Sequence, residues 1–246
     1  SGRNGGFVDA SLTHGEANGK ARWPGEFPTL ERLGIANLEG MQRDIEAHGM
    51  DVEWERVGML GVATEPHQVG WLRDAARDGA GEFLDRDAVR GQLDSPTYQA
   101  GLYSKDSCAT VHPARLITEL ARVCAAGGVQ IHERTAARAI SADRACVRVH
   151  TDAGVVTAGQ VVLATSVFPS LLRRNRLHTV PVYDYVLGTE PLTDEQLDRI
   201  GWRGRQGVGD SGNQFHYYRL SADNRILWGG YDAVYHYGRR VRSRYE

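Results

Sequence analysis

Long apolar runs are missing from this 246-residue chain. Nothing in it approaches the ~20 residues that cross a bilayer as a helix. Cysteine is scarce. Cys108, Cys124 and Cys146 lie far apart, odd in number and without C-x-x-C spacing, which argues against a disulfide framework and against a zinc site. The histidines contain no H-x-x-x-H pair, so no metal is assigned. Basic charge is not in excess either. The net charge of -2 leaves no electrostatic footprint for nucleic acid or an anionic membrane. An initiator Met and a signal-peptide core are absent at Ser1, and the chain runs to Glu246 through an Arg-rich stretch without an apolar closing element. Both ends read as cuts within a longer protein. Internal repeats and low-complexity tracts are absent.

What is present reads as a globular chain. Hydrophobic residues make up 41% and charged residues 24%. The length suits one large domain or two modest ones, and free cysteines suit a reducing cytoplasm. The stretch Val161–Ser166, VVLATS, is the centre of the reading. Its unbroken apolar run predicts a strand, Gln160–Ala164, buried on both faces in a parallel sheet. Ala164, Thr165 and Ser166 then fall at the carboxyl end of that strand, where open α/β sheets bind ligands. The alternative is an ordinary core strand with a small-residue turn.

The head, Ser1-Gly2-Arg3-Asn4-Gly5-Gly6, predicts a loop with unusual backbone angles. It reads as a backbone cradle with Arg3 against an anion, or as a plain terminal loop. Helices are predicted at Pro28–His48, Glu65–Asp78, Asp85–Leu93 with Asp85 as N-cap, Pro113–Ala126 and Asp194–Ile200 with Thr193 or Asp194 as cap. Strands are predicted at Val52–Val57, Met59–Ala63, Tyr98–Tyr103 with a bulge at Gly101, Val129–His132, Ala136–Ala142, Cys146–Thr151 and Val155–Ala158. Beyond Ser166, strands at Val180–Thr189, Gln206–Asp210, Gln214–Leu220 and Arg225–Trp228 read as a mostly antiparallel sheet. Arg173, Arg174 and Arg176 read as a solvated loop.

Four stretches together resemble the FAD-dependent oxidoreductases of the D-amino acid oxidase superfamily, closest to the glycine/sarcosine oxidase and γ-glutamylputrescine oxidase branch. They are SGRNGG (Ser1–Gly6), the helix-strand-strand segment Val111–Ile140, VVLATS, and YYRLSADNRILWGG (Tyr217–Gly230). The resemblance implies a mixed α/β (α+β) fold, with a partial Rossmann-like FAD-binding domain interleaved with an antiparallel-sheet substrate domain. Residues 1–6 and 108–170 would form the FAD domain, and 7–107 and 171–246 the substrate domain. It implies FAD contacts at Ser1, Gly2, Arg3, Asn4, Gly5 and Gly6, at Ala137 near the adenine, and at Ala164, Thr165 and Ser166. A family member should open with a strand, a glycine-rich phosphate turn and an acidic residue for the ribose, and should close with a segment that returns to the flavin. Both are missing here. Ala137 stands where the family usually has Val, and Ser166 ends what is usually an ATG.

The chemistry so implied is oxidation of a C–N bond in an amine or amino acid, with FAD accepting a hydride. Neither a nucleophile nor an acid–base constellation stands out, which such chemistry does not need. Arg219 would pair with a substrate carboxylate, or else form a surface ion pair with Asp223. Tyr217 or Tyr218 would close over the substrate. The competing reading is an incomplete, inactive stretch or a partner-binding module. A nicotinamide-dependent reductase would need a second dinucleotide fingerprint, and none is assigned.

Overall fold

A computed structural model describes residues 4–166, 168, 170–179 and 183–234. Ser1, Gly2, Arg3 and the Arg-rich end therefore lie outside the described residues. The chain is a mixed α/β protein of two compact units, divided after Ala126. The first takes the described residues up to Ala126 together with Asp184–Asp232, and the second takes Gly127–Tyr183.

In order, the first unit has β1 (Phe7–Asp9), α1 (Glu16–Arg22), α2 (Phe27–Ala47), β2 (Met59–Ala63), α3 (Gln68–Arg77), β3 (Glu82–Leu84), α4 (Arg86–Gln92), β4 (Ala100–Ser104), β5 (Cys108–Thr110) and α5 (Pro113–Ala126). The second unit holds β6 (Ala137–Ala142), β7 (Val147–Thr151) and β8 (Gly154–Ala158). The chain then returns to the first unit through β9 (Tyr183–Gly188), α6 (Asp194–Ile200), β10 (Gly207–Asp210), β11 (His216–Leu220) and β12 (Ile226–Val234).

Helix ends follow their local chemistry. The Asp85 carboxylate accepts the Ala88 N–H at 2.9 Å and opens α4. Thr193 and Gln196 form a reciprocal capping box on α6, which resolves the choice of cap in favour of Thr193. Pro28 sits in the first turn of α2, where its missing N–H costs nothing.

The main sheet runs β3-β4-β2-β10-β11-β12-β9. β10 pairs with β2 in parallel, and β3-β4, β4-β2, β10-β11 and β11-β12 are antiparallel. Side chains directly across a ladder share a face. The register therefore lines up Leu60, Val208, Tyr218 and Trp228 on one side. That side makes the core with Leu84, Val89, Leu93, Tyr98 and Trp202. The other side carries Gly61, Gly209, Tyr217 and Gly229 in one row. Towards β4, α3 covers this second side through Leu72, packed on Ala63 and Ala100.

A smaller layer is built on the β1-β5 pair. Leu38 of α2 is fully buried against Ala10 and Ala109. Truncating it to Ala would cost about 2–5 kcal/mol. Ile45, Met50, Val52 and Val111 form a second cluster, on which Leu116 and Val123 of α5 pack. Helix α5 is thus part of the first unit, so the compact units do not coincide with a boundary at Cys108. Ile117 and Leu120, on the same apolar stripe, are exposed.

Several expectations are corrected. Gln160–Ala164 is not a strand: Val162 is 89% exposed and Ala164 is exposed. A buried strand exists only through neighbours that take its hydrogen bonds. The sheet of the second unit is the three-stranded meander β6-β7-β8, with no fourth strand among the described residues. Val129–His132 is likewise without strand structure, and Val52–Val57 contributes only an isolated bridge from Glu55 to Thr110. Gly101 lies in unbroken register with Val62, so it marks no bulge. It is a close approach instead, since a Cβ there would meet Val89 Cγ2 at 2.8 Å. Arg173–Leu177 is a short 3-10 helix.

Candidate functional site

The head loop is fastened to the second side of the main sheet. Asn4 Oδ1 accepts the Gly6 N–H at 2.8 Å, closing a tight Asx-type turn. The Gly6 carbonyl accepts the Val111 N–H at 2.9 Å. Gly6 has φ +76, a region that L side chains avoid, and a Cβ there would collide with the Val111 carbonyl oxygen and the Arg219 guanidinium.

Arg219 is the centre of this arrangement. It is 5% exposed. Its Nε donates to the Gly5 carbonyl at 2.7 Å, Nη2 to the Val111 carbonyl at 2.9 Å and Nη1 to the Leu220 carbonyl at 3.1 Å. Burial pushes its pKa below the ordinary value, while the carboxylates of Glu53 and Glu55 act in the opposite direction. Asp223 is not its partner; that carboxylate pairs with Arg225 at 2.7 Å. The expected surface ion pair is thus replaced by a buried guanidinium that grips main-chain carbonyls. Its neighbour on the same side, Tyr217, donates its hydroxyl to Asp184 on β9 at 2.9 Å. The Tyr217 ring meets Phe7 edge to face at 5.6 Å. Side chains at Gly5 or Gly229 would collide with that ring.

Tyr218 points the other way, as strand alternation requires. It is buried in the core, hydrogen-bonded hydroxyl to hydroxyl with Tyr98 and stacked on Trp228 at 4.2 Å. Burial, with Tyr98 beside it, pushes its hydroxyl pKa far up. The structure therefore brings Asn4, Gly5, Gly6, Tyr217 and Arg219 together and places Tyr218 elsewhere. Ala137, Ala164, Thr165 and Ser166 belong to the second unit. Ala137 opens β6, Ala164 and Ser166 are exposed, and Ser166 has φ +49. Phe7, Val111 and Asp184 complete the loop's surroundings without any sequence signal. Gly229 was legible only as part of the quoted Gly-Gly.

From Gly6, β1 leads directly into the wall of an open cleft of 1620 Å³ in the first unit. Its walls come from the Asp9–Asn18 stretch, α2, α3 and the β10–β11 turn. Seven carboxylates line it, including Asp9, Glu31 and Asp78, against three lysine or arginine side chains. Leu12, Ile35 and Trp71 give it exposed apolar surface.

Among the described residues the pyrophosphate end of FAD has no helix-opening glycine turn to hold it. The loop at Asn4–Gly6 is fixed, with Asn4 exposed and Gly5 and Gly6 buried beneath it. A pyrophosphate needs the N–H groups of a glycine turn that opens a helix. Gly207-Val208-Gly209-Asp210-Ser211-Gly212 has the G-x-G-x-x-G spacing, but it runs from β10 into a hairpin with β11. It therefore offers no helix N-terminus.

This fold is shared with several oxidases of known structure. Over 97% of its length the chain is similar to glycine oxidase from Geobacillus kaustophilus, with a TM-score of 0.70, 17% identity and 62% of that chain covered. Iminodiacetate oxidase from Chelativorans sp. BNC1 is similar over 98% of this chain and 64% of its own, with a TM-score of 0.66 and 15% identity. The sequence pattern of the family described as FAD dependent oxidoreductase matches residues 1–245, and the chain belongs to that family. Gamma-glutamylputrescine oxidoreductase from Escherichia coli K12 is 30% identical over 217 residues, which is 82% of this chain and 49% of that protein. The chain spans about half the length of the curated relatives it matches.

Proposed function

We propose that the protein carrying this chain oxidises the C–N bond of a small amine or amino acid in a reducing cytoplasm, and that its substrate presents a cationic end. The acidic cleft carries the second part. An excess of carboxylates along a partly apolar groove attracts an ammonium group and holds its carbon chain. The name of the Escherichia coli relative, gamma-glutamylputrescine oxidoreductase, supports an amine substrate. FAD, when bound, supplies the two-electron acceptor. The substrate loses two electrons and its protons to become an imine, which water hydrolyses to a carbonyl compound.

The chain's own residues bind, orient and exclude water. Ser1, Gly2, Arg3, Asn4, Gly5 and Gly6, and also Ala137, Ala164, Thr165 and Ser166, remain the proposed flavin contacts, Ala137 the one for the adenine. Residues 1–6 and 108–170 would serve the flavin, and 7–107 with 171–246 the substrate. Tyr217 and Phe7 form an apolar edge beside the loop that would keep water out. Tyr218 is not assigned a contact with substrate, because its hydroxyl is bonded within the core. The 246-residue stretch alone is proposed to be inactive, since its described residues provide no pyrophosphate turn.

The test is anaerobic mixing of the full-length protein with diamines, their acyl conjugates, amino acids and N-alkyl amino acids, following flavin bleaching. Bleaching by cationic amines is expected, with KM raised by Glu31→Gln and Asp78→Asn together. Reduction by none of these compounds overturns the amine reading. Unchanged KM in the double variant overturns the assignment of the cleft.

A further inference from the structure

Arg219 ties together three separate pieces of main chain. Its guanidinium has five N–H groups. At least three of them are committed, to the carbonyls of Gly5, Val111 and Leu220. These carbonyls belong to the head loop, to the β5–α5 junction and to Arg219's own strand. Val111 in turn donates its N–H to the Gly6 carbonyl, so the loop is held through two successive carbonyls, those of Gly5 and Gly6. A lysine has no planar fork and cannot reach three carbonyls in fixed directions. The side chain is also too buried to meet a solvated ligand.

We infer that Arg219 is a positioning residue for the cofactor loop, not a reader of substrate carboxylate. It fixes the buried Gly5–Gly6 backbone against β11, and so sets where the exposed Asn4 end of the loop, the part a flavin would meet, is held before any ligand arrives. This rests on the proposed reading that the Asn4–Gly6 loop faces the flavin, but not on the identity of the substrate. Removing the clamp frees the Gly5 carbonyl and lets the loop leave its place. The effect falls first on flavin affinity and on the flavin's environment, and on all substrates alike.

The experiment uses the full-length protein and four variants: Arg219→Ala, Arg219→Lys, Arg219→Gln and, as a stability control, Arg205→Gln. Arg205 is a less buried arginine with a comparable number of partners, bonded to Glu55, Asn224 and the Ser221 carbonyl but not to the loop. Apoprotein is titrated with FAD, and the visible spectrum of the bound flavin is recorded. In the Arg219 variants, Kd for FAD is expected to rise about ten- to a hundredfold, the scale seen when an outer partner that orients a binding group is removed. The spectrum should shift as well. Millimolar guanidinium should restore part of the affinity to Arg219→Ala. The KM values of carboxylated and uncarboxylated amines should change by the same factor.

Wild-type FAD affinity and spectrum, together with a selective loss on carboxylated amines, would overturn the proposal. So would a loss of FAD affinity no greater than that of Arg205→Gln and without guanidinium rescue. If Arg219→Ala does not fold, Arg219→Lys and Arg219→Gln carry the FAD titration. If no amine reduces the flavin, the functional reading fails while the FAD titration still decides the role of Arg219.

Discussion

The hydroxyls of Tyr98 and Tyr218 meet each other in the core of the first unit, 120 residues apart in sequence. Both side chains are buried, and Trp228 and Trp202 pack against the Tyr218 ring. One hydroxyl must donate and the other accept. Deleting either leaves a buried polar atom alone, which costs about 1–3 kcal/mol. Tyr218→Phe and Tyr98→Phe are each expected to destabilise by that amount. The double variant should lose less than the sum, because neither hydroxyl is then orphaned. Urea unfolding of the four proteins gives the coupling as a double-mutant cycle. Simple additivity would show that the two hydroxyls do not act as a pair.

The same pair sets an alkaline limit. Burial pushes the Tyr98 hydroxyl up to about 12, from an ordinary value of 10.0. Tyr218 is shifted in the same direction, by burial first and then by its neighbour. In the unfolded chain both ionise near the ordinary value, while the folded core keeps them protonated. Their contribution is therefore full below about pH 10 and is lost as pH rises through the folded-state values. The midpoint of urea unfolding should fall steeply above pH 10 in the native protein. In Tyr98→Phe/Tyr218→Phe that fall should be shallower. Equal slopes would mean that other groups govern alkaline unfolding.

Local signals were well read from sequence where the local chemistry decides the outcome. Pro113–Ala126 has the bounds its apolar stripe and glycine stop predict, and Asp194–Ile200 ends at the glycine after it. Strand alternation also carried the information that Tyr217 and Tyr218 face opposite ways. It could not say which side is the core, because Trp202, Val89 and Tyr98 come from distant segments. VVLATS shows the opposite limit. Its composition suits a buried strand, but burial is supplied by neighbours, and here Val161 and Leu163 are only half-buried while Val162 and Ala164 are exposed. Arg219 is the clearest case on the site. As an arginine on a strand near Asp223 it looked like a surface charge or an anion reader. Its real partners are three carbonyls, and backbone carbonyls leave no trace in a sequence.

The head loop makes a sharper claim about its glycines. At Gly6 the backbone φ of +76 alone would cost an alanine about 1–2 kcal/mol. The new Cβ would also press on the Val111 carbonyl and on the Arg219 guanidinium. Neither can retreat freely, since the carbonyl belongs to the β5–α5 junction and the guanidinium is bonded to it. Gly6→Ala should therefore destabilise by more than the backbone cost and weaken FAD binding in the full-length protein. Gly70 is the comparison. It lies inside α3, where an added Cβ meets nothing within 4 Å. There alanine removes the glycine's unfolded-state freedom and should stabilise by about 0.5–1 kcal/mol. Urea midpoints of the two variants should move in opposite directions, and only Gly6→Ala should change the FAD titration. A Gly6→Ala protein with native stability and native FAD affinity would mean that the loop adapts, and that the clamp around it is not rigid.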